Sequence, residues 1–165
     1  MMSAIATAPI VATRLAVGFD DDVVRPSLWP RLLAAGDTNE VFLTPEWQRV
    51  WWETFGRGQL LLIVAERNGE PIALAPLFAD SGMIFFVGSG GSDYLDFIGD
   101  ICDNEVLDAI LLTARRAVAD FVGFRFYHVP DRSRTGELLR QAATRLQMRR
   151  EQNQRTDARG ALSMS

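Results

Sequence analysis

Cysteine and histidine are nearly missing from this chain: its 165 residues hold one of each, Cys102 and His128. A single thiol cannot close an internal disulfide, and one Cys with one His supplies no zinc ligand set, so no metal is expected. The chain reads as suited to a reducing compartment, the cytoplasm. Basic charge is not in excess either, since the formal net charge is −4. That argues against nucleic acid, which needs a basic face, and against attraction to an anionic membrane surface. No apolar run approaches the roughly 20 residues of a membrane span. The start, MMSAIATAPIVATRL, lacks the basic lead of a secretory signal, and Pro9 interrupts it.

What is present is the composition of a packed domain, 48% apolar and 23% charged. The length suits one domain with a real core. Residues 1–12 are read as a flexible N-terminus and 13–150 as the domain. Residues 151–165, polar and without period, are read as a disordered tail.

Along the domain, TRLAVGF (13–19) alternates as a half-buried strand does, with Leu15, Val17 and Phe19 on one side. SLWPRLLAAGD (27–37) predicts a short helix capped by Ser27, with Pro30 in its first turn. FLTPEWQRVWWETFG (42–56) holds three of the four tryptophans. Thr44 is placed to cap a helix, Pro45 to open it, Glu46 to meet its positive end and Gly56 to stop it. At 100° per residue Trp47, Val50, Trp51 and Phe55 share a stripe, which predicts a core face. Trp52 lies roughly 130° from that stripe.

Two apolar runs, 59–66 and 71–78, flank Arg67-Asn68-Gly69-Glu70, a strong hairpin signal. Pro76 predicts an edge or an end of the second strand. Asp80-Ser81-Gly82 turns the chain into MIFFVG (83–88), GSGGS (88–92) is a loop, and YLDFIGD (94–100) is a further short strand candidate. Residues 104–123 predict a long helix with Asp103 before it and Gly123 after it. FRFYHVP (124–130) reads as a strand, and 133–150 as a helix with arginines at its C-terminal end. The order β, α, α, β, β, β, β, α, β, α, with hairpins in the middle, predicts an α+β fold. Helices then cover a mixed, mostly antiparallel sheet.

That order, with TPEWQRVWWETFG, AERNGEPIALAPLF and DYLDFIGD, resembles GNAT-superfamily acyltransferases. The likeness is to the CelD-like, FemAB-related kind associated with cellulose or other exopolysaccharide synthesis. The residues that carry it are Trp47, Trp51 and Trp52, then Ala75, Pro76 and Leu77, then Asp93, Tyr94 and Asp96, over roughly residues 13 to 148. The resemblance implies a GNAT-like sheet and transfer of an acyl group from acyl-CoA to an amine or hydroxyl acceptor in polysaccharide or cell-envelope metabolism. It is to the first half of a two-half architecture. The chain is accordingly read as a short form, a truncated frame, or a fragment with its second half elsewhere. A closing hairpin is not visible in the tail. The GNAT phosphate signature, Arg/Gln-x-x-Gly-x-Gly/Ala opening a helix, is also absent. Gly88, Gly90 and Gly91 supply glycines without the preceding Arg or Gln, and acids follow them. The complete cofactor site is therefore expected in the second half.

Asp93, Tyr94 and Asp96 are the substrate-binding candidates: two carboxylates and a phenol beside a loop suit sugar hydroxyls or an amine. Local capping of backbone N–H groups is the competing role. Trp52 is a candidate for stacking on a sugar, for packing on a second domain, or for a homodimer contact. His128 shares a strand side with Phe124 and Phe126, which predicts a buried structural histidine. No motif surrounds Cys102 or His128 as a nucleophilic pair. No catalytic base is assigned. The expected partners are a small-molecule or glycan acceptor and a second GNAT-like half or another copy. The alternative reading is a degenerate, non-catalytic GNAT half that serves as a packing module.

Overall fold

The computed structural model describes residues 10–24, 26–148, 150–152 and 162–165. Its centre is the hairpin that Asn68 and Gly69 announce. Both residues have positive φ, 51° and 81°, which is the turn whose twist matches paired strands. They join β2 (Gln59–Arg67) to β3 (Glu70–Asp80). A second two-residue turn, Ser81 at φ 51° and Gly82 at φ 78°, leads to β4 (Met83–Phe86). β1 (Val11–Ala16) pairs antiparallel with β2, and the short β5 (Ile98–Gly99) pairs with β3 at Ala73 and Leu74.

After β5 comes α3 (Asn104–Ala117) and then β6 (Gly123–Phe126), which lies parallel to β4 through Met83↔Gly123 and Ile84↔Phe124. β8 (Leu162–Met164) pairs antiparallel with β6, and β7 (Arg150–Gln152) with β8. The sheet order is β1-β2-β3-β4-β6-β8-β7. With α1 (Leu28–Ala35), α2 (Pro45–Phe55) and α4 (Thr135–Arg145), the fold is α+β: an open, mostly antiparallel mixed sheet flanked by helices.

β2 and β3 are buried on both faces from Leu60 to Ala65 and from Ala73 to Ala79. On one side, Trp51 and Trp52 of α2 stand on Phe78, at ring distances of 5.6 and 5.8 Å. On the other, Thr113 of α3 shares a 2.7 Å hydroxyl–hydroxyl bond with Thr13 of β1. The reading of β1 is corrected: the strand ends at Ala16, Leu15 and Val17 are exposed, and the buried residue is Ala16, on the opposite side. Phe19 leaves the strand to stack on Trp29.

The α2 helix starts and stops as expected, with Thr44 Oγ1 accepting from the Trp47 amide. Its buried side differs from the tryptophan stripe. Gln48 is fully buried beside Trp51, while Val50 and Phe55 are about 60% exposed, at 61% and 62%. Gln48 Nε2 donates to the Phe42 carbonyl at 2.7 Å and the Val87 carbonyl at 3.1 Å. Two buried carbonyls that need donors thus rotate the helix away from its apolar pattern.

Five further expectations are corrected. Pro76 lies inside β3, which continues to Asp80. Its carbonyl accepts from the Val87 amide, so its nitrogen faces the same side, in the gap where pairing passes from β5 to β4 and no ladder donor is needed. α3 stops at Ala117, because the chain must return to lay β6 beside β4. The Val122 amide there meets the Gly82 carbonyl. Ser27 makes no side-chain cap bond, and α4 ends at Arg145, whose guanidinium binds Asp108 of α3 at 2.7 and 2.9 Å. The closing hairpin exists: β7 begins at Arg150, at the expected end of the last helix, and runs with β8 into the expected disordered tail, held by main-chain pairing that needs no side-chain alternation. Residues 153–161 of that tail and residues 1–9 of the N-terminus lie outside the described residues.

Gly99 sets how closely β5 and α1 approach β3. Its φ is 94°, and a Cβ there would stand 2.5 Å from the Ile72 carbonyl oxygen. Gly69 also has positive φ, but open space around it. Gly99→Ala is expected to cost about 3 kcal/mol in urea unfolding, from strain plus clash. Gly69→Ala is expected to cost about 1 kcal/mol, from strain alone. Equal losses would show that close approach at Gly99 is unimportant.

Candidate functional site

Parallel neighbours inside an otherwise antiparallel sheet create one special place. β4 and β6 pair at only two positions, and the ladder ends short of their carboxyl ends, where the Phe86 and Phe126 rings stand 4.4 Å apart. A crevice of this kind, where chain direction switches, is the usual ligand position in open sheets with parallel strands. Here the chain itself enters it. The Leu95 amide donates to the His128 carbonyl at 3.0 Å. The Phe97 ring stands edge-on to Phe86 and Phe126, at 5.0 and 5.7 Å.

Asp96 lies between those two residues and is 2% exposed. Its Oδ2 accepts from the Thr38 hydroxyl at 2.7 Å. Its Oδ1 accepts from the Phe97 amide at 2.8 Å and from the Thr135 hydroxyl. Thr135 is the first residue of α4, whose positive end favours a carboxylate. Burial pushes the Asp96 carboxyl above the usual carboxylate range, and the hydroxyl and amide donors pull the other way without cancelling it. The expected acceptor ligand is thus an internal tie joining the segment after α1, the crevice segment and α4. Sequence reasoning placed an acid beside a loop. It could not show that two threonines, 58 and 39 residues away, would consume it.

Asp93 and Tyr94 are brought together where the sequence reading put them. They line an open cleft of about 450 Å³ with His128, Val129, Pro130, Asp131 and Arg132. The Arg132 guanidinium lies over the Tyr94 ring at 5.0 Å and forms an ion pair with Glu40. His128 is half-buried: it lines this cleft, while its Nδ1 is shut off from solvent. β6 ends at Phe126, and a left-handed His128, φ 62°, breaks the alternation that would have buried it beside Phe124 and Phe126. A positive φ at a non-glycine residue is the signal that single-sequence periodicity cannot carry.

Trp52 does not reach this cleft. It is half-buried on Phe78, and its indole presses where a Cβ on Gly56 would stand, 2.5 Å from ring atoms. Trp47 is the indole that reaches the glycine loop, donating from Nε1 to Ser92 Oγ at 3.0 Å. Cys102 lines a separate cavity of about 290 Å³ with Asp37, Asp96, Asp100 and Arg134. Burial, reinforced by Asp100, raises its thiol pKa, so it is not an activated nucleophile. Among the described residues no group of His, Cys, Asp and Glu is placed to hold a metal.

The residues expected to cradle a pyrophosphate do not fit one. The Ser89 and Gly91 amides are turned to the Phe86 and Gly88 carbonyls. A Cβ on Gly88 would meet Leu95 and Ser92, and one on Gly91 would meet Trp51, so these glycines serve internal packing. The start of α3 is also taken: Asp103 Oδ1 accepts from the Glu105 amide at 2.9 Å, and Arg67 pairs with Asp103 and Glu105. Acids occupy the position a phosphate would need. Among the described residues no helix is long and apolar enough to cross a membrane. Compared with known proteins, the chain matches no family model and no curated sequence.

Asp96→Ala is expected to cost about 2–4 kcal/mol, since it strands buried donors. The pH dependence has a definite sign. A raised folded pKa means that Asp96 contributes stability fully below the ordinary carboxyl pKa and loses it as pH rises through the raised value. Asp96→Asn removes that titration. The advantage of the natural chain over this variant in urea should shrink as pH rises from about 4 toward neutrality. A constant difference would place Asp96 in the ordinary range.

Proposed function

We propose that this chain is a GNAT-like acyltransferase domain of the CelD-like, FemAB-related kind. Its cleft between residues 93–94 and the loop after β6 receives the acceptor, an amine or hydroxyl of a glycan or cell-envelope metabolite. The observation that carries the reading is this cleft, formed by the loop that follows β6 and by residues 93–94, with a carboxylate, a phenol and an imidazole on its wall. Asp93 and Tyr94 would hold acceptor hydroxyls or an amine, and His128 is the group of the right type to accept the acceptor's proton. The closing β7–β8 hairpin supports the GNAT-like architecture, because a sheet without it would lack an element the resemblance requires.

Acyl-CoA is not assigned to this domain, whose glycine loop and α3 start are already committed to internal bonds. The donor belongs to a second GNAT-like half, and a cytoplasmic setting is part of the same reading. The crevice filled by residues 93–97 favours a second reading, a degenerate GNAT half that packs on another domain and performs no chemistry.

Two-dimensional NMR titration separates them. Glucosamine and cellobiose are expected to shift amides of 93–95 and 127–132 with millimolar Kd. Asp93→Ala should weaken the binding about tenfold while leaving the rest of the spectrum unchanged (about 1.4 kcal/mol). Acetyl-CoA is expected to shift nothing. Silence toward both sugars supports the packing module, and micromolar binding of acetyl-CoA overturns the placement of the donor elsewhere.

A further inference from the structure

A second depression, sharing no residue with the cleft, lies between the segment 19–30 and α2, with a volume of about 510 Å³. Its floor is apolar and rigid. Phe19 stacks on Trp29 at 5.8 Å, and the Trp29 indole is fixed by a 2.8 Å bond from Nε1 to the Leu43 carbonyl. Val50 of α2 stands in its wall, 61% exposed. The rim is acidic. Among the described lining residues Arg49 is the one cation. It is bound by both Asp20 oxygens, at 2.7 and 3.0 Å, with its guanidinium over Phe19. Asp20 is correspondingly held below the usual carboxylate range by that arginine. The pair cancels, and Asp21, Asp22 and Glu46 leave the groove negative.

We propose that this groove docks a basic peptide segment of a partner protein, one that seats an aliphatic side chain against Phe19 and Val50 and sets Lys or Arg against the acidic rim. The combination selects the occupant. An anionic lipid surface or a nucleic acid would be repelled by the rim. A free polyamine would satisfy the acids and leave the apolar floor uncovered. A Lys or Arg side chain supplies both an aliphatic stem and a charged tip, and its neighbour in the peptide supplies the anchor. The groove is open, so it suits a segment laid across it. The inference does not rest on the acyltransferase reading.

The test uses two synthetic, fluorescein-labelled amphipathic peptides of fourteen residues (a design length), one of Leu and Lys and one of Leu and Glu. Fluorescence polarisation with the intact chain is expected to give micromolar Kd for the Leu/Lys peptide and no binding for the Leu/Glu peptide. Asp22→Lys is expected to raise that Kd about tenfold, and Val50→Asn about fivefold, each about 1 kcal/mol or slightly more by the usual conversion. Glu137→Lys on α4, which alters net charge equally, should leave it unchanged. The proposal is overturned if the Leu/Lys peptide does not bind or the two peptides bind alike. It is also overturned if Glu137→Lys weakens binding as much as Asp22→Lys does, or if Val50→Asn has no effect.

Discussion

The buried carboxylate of Asp96 joins the loop after α1, the 93–97 segment and the start of α4, a junction that the Arg134–Asp37 and Arg132–Glu40 ion pairs reinforce at the surface. A charged group with so little exposure is costly unless donors surround it. Here the donors come from three places: the loop after α1, the backbone next in sequence, and the first residue of α4. Satisfying Asp96 therefore fixes the crevice segment between β4 and β6. With that segment in place, Leu95 bonds the His128 carbonyl and Phe97 packs edge-on against the touching pair Phe86 and Phe126. The open cleft beside it takes its shape as a consequence. Asp93 and Tyr94 stand on the outer end of the same segment, and His128 and Arg132 on the loop that runs to α4.

Local chemistry made much of this legible in the sequence. Asn68-Gly69 and Ser81-Gly82 adopt the left-handed turns that their residue types favour, and they fix the register of the central strands. Thr44 and Asp103 cap α2 and α3 as their positions suggested. What stayed hidden depends on distant partners. The buried side of α2 is decided by two carbonyls that Gln48 serves, one of them at the end of β4. The closing hairpin forms because β6 offers an unpaired edge, and main-chain bonding there is indifferent to the polar side chains of the tail. Asp96 looked like a surface acid beside a flexible loop because the threonines that surround it are far off in sequence.

The candidate site divides in the same way. Asp93 and Tyr94 were visible as polar residues beside a glycine loop, and they do line a cleft. His128 joined them only because its backbone turns left-handed at the end of β6, which removes it from the apolar side of the strand. Trp52, surplus on the helical wheel, finds its seat on Phe78 once α2 is rotated by Gln48. The glycines of residues 88–91 look like a phosphate loop in composition, yet the missing side chains of Gly88 and Gly91 make room for Leu95, Ser92 and Trp51, and Gly90 stands in open space with a positive φ. Glycine frequency alone does not distinguish a ligand's space from a neighbour's.

Amide hydrogen exchange at Leu95 addresses the wedge that this architecture rests on. If residues 93–97 are a fixed part of the fold, the Leu95 amide exchanges only through global unfolding, with the same protection as the β2 and β3 amides. Exchange as fast as that of the open-loop amide of Gly90 would mean that the segment leaves the crevice freely, and that β4 and β6 hold a vacant ligand channel.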